Sequence, residues 1–133
     1  MFGTDRPYFE QQVRPLLTEN DKVIGPVGGQ AKRDLIAAAR CLLFPIRWEE
    51  PFGLVMIEAM VTGTPVLALR AGSVSEIVVD GETGYVCDEP SDLGPGLEAI
   101  GDIDPNACRS HVERHFCLER MVADYEEVYA SVL

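Results

Sequence analysis

Through the middle of the chain, apolar runs of strand length alternate with segments of helical period. Cys41-Leu42-Leu43-Phe44-Pro45 and Pro65-Val66-Leu67-Ala68-Leu69 have no polar alternation, the pattern of strands buried on both faces of a parallel sheet. Gly84-Tyr85-Val86-Cys87 reads as a third strand, and Lys22-Val23-Ile24 as a brief strand nearer the start. Between them, Gln30 to Arg40 predicts a helix with Leu35, Ile36 and Ala39 on one face. Phe52 to Thr62 predicts another, with Pro51 suited to the first helical position and Gly63 to the left-handed residue that closes it. Ser73-Val74-Ser75-Glu76 has the spacing of a capping box opening a short helix that Asp80-Gly81 ends. Tyr8 to Leu17 reads as helical but interrupted at Pro15, and three helices are expected over 93–100, 106–116 and 118–133. Strand and helix alternate without a hairpin signal. The expected fold is α/β, a Rossmann-like parallel sheet with helices on both faces, formed by residues 1–133 as a single domain.

Composition narrows the partners. The 133 residues are 47% apolar and 25% charged, which are globular proportions, and they carry a formal charge of -11 at pH 7. That charge opposes nucleic acid or an anionic membrane as a partner of the whole surface, so any phosphate needs a focused site. No apolar run approaches the ~20 residues of a transmembrane segment, and Met1 is not followed by a charged-then-apolar signal pattern. A soluble, cytoplasmic protein is expected. Cys41, Cys87, Cys108 and Cys117 form no Cys-x-x-Cys pair and read as thiols.

The segment EPFGLVMIE at residues 50–58 places one glutamate before a greasy helix and another within it. A helix N-terminus offers unpaired backbone N–H groups and a partial positive charge, an anion site that needs no lysine. In open parallel sheets such termini flank the ligand crevice beyond the carboxyl ends of the strands. Gly53 there removes a side chain where a phosphate would approach the backbone. Eight helical residues rise about 12 Å, whereas a glycosidase carboxylate pair stands about 5 to 9.5 Å apart. Two readings follow. Either Glu50 and Glu58 grip two ends of an extended ligand, with hydroxyls at its ends and a diphosphate between, or Glu50 is a solvated cap and Glu58 a polar residue at the helix edge.

Other clusters carry less. Cys108-x-x-His111-x-x-x-His115 puts three metal-ligand types near one helix face, but the glutamate is misplaced for a zinc-protease motif. The favoured reading is a packed cysteine beside two surface histidines, with no metal. Gly28-Gly29 reads as a turn, and Gly72-Ser73 either as a turn or as a second wall of the crevice. Arg47 and Trp48 read as a solvated cation and a partly packed ring, or as acceptor contacts.

The run Phe44-Pro45-Ile46-Arg47-Trp48-Glu49-Glu50-Pro51-Phe52-Gly53-Leu54-Val55-Met56-Ile57-Glu58-Ala59-Met60, followed by Gly63-Thr64-Pro65-Val66, Gly72, Glu76, Asp80-Gly81 and Thr83-Gly84, closely resembles the donor-binding half of retaining glycosyltransferases of family 4. The resemblance covers essentially the whole chain. It implies the GT-B architecture, two Rossmann-like domains facing a cleft, with this chain as an N-terminally truncated part of the nucleotide-sugar domain. By that resemblance Glu50 contacts hydroxyls of the transferred sugar and Glu58 the ribose hydroxyls. Backbone N–H groups of Phe52, Gly53, Leu54 and Val55 meet the sugar and diphosphate, and Val27 lies against the base. It implies a UDP- or GDP-sugar as donor substrate, no cofactor, and either a missing acceptor domain or a second copy of the chain as the covering partner. A non-catalytic nucleotide- or sugar-binding module is the alternative. The family's arginine and lysine in a basic motif have no match, since Met1-Phe2-Gly3 already looks like the end of the second strand. Ile46 replaces a common serine, and the extra Glu49 leaves the register between Glu49 and Glu50 open.

Overall fold

The computed structural model describes residues 6–132. The reading of Met1-Phe2-Gly3 as a strand end lies outside them, as does Leu133. The chain divides into two compact units, with the boundary after Lys32.

In the first unit, Arg6–Tyr8 (α1) runs into a π-helical turn, Phe9–Val13, and a 3₁₀ turn, Arg14–Leu16. The helical reading of this stretch holds, and Pro15 falls in the first turn of the 3₁₀ segment, where a missing N–H is tolerated. Lys22-Val23-Ile24 is not a strand. Val23 and Ile24 are exposed, and no described segment pairs with them; two β-branched residues do not make a strand without a neighbour to accept and donate in a ladder. The helix expected from Gln30 spans Gly29–Ala37 (α2). Of its supposed inward face, Ile36 alone packs on the core, while Leu35 and Ala39 are exposed.

The second unit is built on three parallel strands, Leu42–Phe44 (β1), Val66–Leu69 (β2) and Gly84–Cys87 (β3), in the order β1-β2-β3. β2 is the central strand, and all four of its residues are buried, as the continuous apolar run requires. The same reading fails for β1. It is an edge strand, and Leu43 is 53% exposed, while the helix covering that face packs chiefly on β2 and β3. That helix is Leu93–Ala99 (α5); a Cβ on its Gly96 would stand 2.7 Å from Leu67 Cδ1 and 3.8 Å from Tyr85 Cβ, so the glycine lets helix and sheet meet closely. The opposite face carries Leu54–Val61 (α3), whose Met56, Ala59 and Met60 are fully buried. Pro105–His115 (α6) packs on α3 in turn. Val74–Ile77 (α4) and Leu118–Val132 (α7) complete the unit. The sheet therefore has helices on both faces, as expected for an α/β Rossmann-like fold.

Candidate functional site

The site is assembled from the loops that leave the carboxyl ends of β1 and β2. Gly53 takes a left-handed conformation (φ 73°, ψ 57°) and serves as the N-cap of α3. A left-handed residue cannot continue a right-handed helix, so α3 begins at Leu54, and Pro51 and Phe52 belong to the preceding loop rather than to its first turn. The glycine has a reason internal to the fold. A Cβ there would lie 2.6 Å from Met56 Cε and 3.3 Å from Glu50 Cγ, in addition to the backbone strain. No side chain caps the helix, and among the described residues nothing accepts from the N–H groups of Phe52, Gly53, Leu54 or Val55. Four unpaired backbone dipoles thus stand in a row at the positive end of α3.

Three hydrogen bonds tie this loop to the one after β2. Gly72 N–H donates to Glu49 Oε2 at 2.8 Å, Ser73 N–H to the Glu50 carbonyl at 3.0 Å, and the Ser73 hydroxyl to the Phe52 carbonyl at 2.8 Å. Gly72 has φ +49°, and a Cβ on it would sit 2.4 Å from both N and O of Glu50. The capping box expected at Ser73 does not form. Ser73 has no side-chain cap bond, because its hydroxyl is used across the loops instead. Gly72-Ser73 is therefore bonded to the loop that leads into Gly53.

The three glutamates differ in setting. Glu49 is exposed, with one carboxylate oxygen held by Gly72. Glu50 is half-buried, and its carboxylate has no hydrogen-bond or ion-pair partner among the described residues. Glu58 is the fifth residue of α3 and half-buried, about 6 Å along the axis from Leu54 at 1.5 Å per residue. This is shorter than an eight-residue helical span, since the helix starts four residues after Glu50. Val27 lies in the first unit, before α2, and is 40% exposed. Gly28 precedes α2 and Gly29 opens it, in keeping with a turn.

Beyond the carboxyl ends of the strands lies a cleft of about 200 Å³ lined by Ile46, Arg47, Glu49, Arg70, Asp88 and neighbours. The sequence reading missed Arg70. It follows the last residue of β2, and a cation directly after a buried strand was the available signal. Its guanidinium pairs with Asp88 and donates to Ser75 Oγ at 3.0 Å; the Asp88 hydrogen bond raises its pKa further, so it stays charged. Trp48 is 57% exposed, and Arg47 is also at the surface.

On the other side of Phe52, an open groove of about 520 Å³ is walled by Phe52, Leu54 and Ile57 and by Phe116, Leu118 and Met121. Phe52 meets Phe116 edge-on at 6.1 Å, and Phe116 meets His111 at 5.5 Å. His111 is buried, with Nε2 3.0 Å from the Ile77 carbonyl. The reading of two surface histidines is thus corrected: His115 is exposed, but His111 faces the core beside buried Cys108.

Comparison with known proteins assigns the chain. Residues 3–94 match the family described as glycosyl transferases group 1, and the chain belongs to that family. It is 46% identical over 117 residues to D-inositol 3-phosphate glycosyltransferase of Streptomyces scabiei, covering 81% of this chain and 26% of that protein. It is 33% identical over 113 residues to N-acetyl-alpha-D-glucosaminyl L-malate synthase of Bacillus anthracis, covering 77% of this chain and 30% of that protein. With alpha-1,3/1,6-mannosyltransferase alg-2 of Neurospora crassa it shares 44% over 72 residues, 54% of this chain and 15% of that one. The chain spans less than a third of the length of these relatives. No helix among the described residues is long and apolar enough to cross a membrane.

Proposed function

We propose that the chain is a nucleotide-sugar-binding domain of a retaining, GT-B glycosyltransferase of family 4, and that it takes a UDP- or GDP-hexose. The observation that carries the reading is the row of four N–H groups from Phe52 to Val55, next to the Glu50 carboxylate, none of which has a partner among the described residues. The N–H row suits a diphosphate, which a surface of charge -11 would otherwise repel. Glu50 suits sugar hydroxyls, because a carboxylate is a strong acceptor. Glu58, farther along α3, takes the ribose hydroxyls.

As the bond from the anomeric carbon to the diphosphate loosens, negative charge grows on the leaving oxygen. Fixed backbone dipoles aimed at that oxygen stabilise it with little reorganisation. No cofactor or metal is invoked, and the proposed setting is the cytoplasm. Since the chain spans less than a third of the length of these relatives, binding without turnover is expected of this chain. An acceptor domain or a second copy of the chain is the proposed cover for the exposed apolar side chains of α7, among them Tyr125, Val128 and Tyr129. Titration calorimetry with UDP, GDP and their hexose conjugates tests the assignment; a chain that binds none of them does not have this function.

A further inference from the structure

Glu49 and Glu50 are adjacent acids at the mouth of the crevice, and the structure gives them different work. We propose that Glu49 is a positioning residue, which orders the backbone that presents the N–H row, and that Glu50 is the carboxylate left for the ligand. The inference rests on the binding role proposed above. Its basis is the bond from Gly72 N–H to Glu49 Oε2 at 2.8 Å, set beside the Ser73 bonds to the carbonyls of Glu50 and Phe52. The three bonds reach residues 49, 50 and 52 in turn, so the segment entering Gly53 is held at three points against the loop after β2. Gly72 has the room and the left-handed backbone to come this close to Glu50. Loosening the outermost point lets residues 50–53 move, and the N–H groups that follow lose their common direction.

Charge and position act with opposite signs here, which makes the role testable. A carboxylate beside an anionic ligand repels it, so removing Glu49 for its charge alone tightens binding. Removing it as a brace weakens binding. Glutamine keeps an acceptor oxygen for Gly72 without the charge. The test is calorimetric titration of UDP and GDP into the wild-type chain, Glu49→Ala and Glu49→Gln, with amide hydrogen exchange on the same three proteins. The expected result is at least fivefold weaker binding for Glu49→Ala, binding within twofold of wild type or tighter for Glu49→Gln, and faster exchange at Gly72 in the alanine variant only. Tighter binding by both variants overturns the proposal and makes Glu49 a repelling surface charge. If the wild-type chain binds neither nucleotide, the functional reading fails by itself, and exchange then decides about Glu49. Faster exchange in Glu49→Ala at Gly72 and also at Ser73, whose N–H donates to the Glu50 carbonyl, supports the brace, and unchanged exchange at Ser73 overturns it.

Discussion

The buried hydroxyl of Ser73 donates to the carbonyl of Phe52 at 2.8 Å, across 21 residues of sequence. This bond and its neighbours tie the loop after β1 to the loop after β2. Ser73→Ala removes the donor and is expected to cost about 1 kcal/mol. Gly72→Ala is expected to cost more. Backbone strain at a positive φ accounts for about 1 to 3 kcal/mol, and the added methyl also overlaps the Glu50 backbone. Urea unfolding of both variants checks the order.

Thr83 is fully buried, and its Oγ1 accepts from Val79 N–H at 2.9 Å. Thr83→Val keeps the shape and raises hydrophobicity, yet it is expected to destabilise by about 1 to 3 kcal/mol, since the amide loses its acceptor. Thr83→Ser keeps the oxygen and loses one methyl, at about 0.8 kcal/mol. If valine proves the milder change in thermal melts, the hydrogen bond is not what holds this turn.

Cys108 gives a pH signature. Burial pushes its thiol up to about 11, from an ordinary value of 9.0, and its Sγ lies 3.6 Å from the Thr83 carbonyl. Below pH 9 the thiol is protonated in both folded and unfolded chains, so this group adds no pH dependence. Between about 9 and 11 the unfolded chain releases the proton and the folded one keeps it, so stability falls as pH rises. Cys108→Ala is expected to flatten that fall. Thiol labelling at pH 8 should reach Cys108 only on unfolding, while half-buried Cys117 reacts in the native state.

Most of the second unit was legible because its signals are local and agree with one another. The buried run at 66–69, the third strand at 84–87 and the close of α3 at left-handed Gly63 fall where pattern and turn chemistry put them. Most of the misreadings share a cause, since they depended on a partner distant in sequence. Lys22-Val23-Ile24 has strand-forming side chains but no ladder. Leu43 belongs to an apolar run whose outer face is uncovered. Ser73 has the spacing of a cap, but its hydroxyl is taken by Phe52. Gly53 was read from its clearance for a ligand, while its left-handed backbone fixes where α3 starts. The split between Glu49 and Glu50 was invisible for the same reason, because Gly72 decides it from 23 residues away. His111 looked like a surface residue because its acceptor, the Ile77 carbonyl, is 34 residues earlier.

The central claim is that the N–H row at α3 binds a nucleotide-sugar donor, with Glu58 on its nucleotide portion and Glu50 on its sugar. Calorimetric titration of UDP, GDP and their hexose conjugates into the chain, into Glu58→Ala and into Glu50→Gln tests it most directly. The account predicts saturable binding of one nucleotide series, weakened at least tenfold by Glu58→Ala in a variant that still melts cooperatively. Glu50→Gln is expected to reduce affinity for the sugar conjugate more than for the free nucleotide. Absence of binding to every compound, by a chain that melts cooperatively, would contradict it.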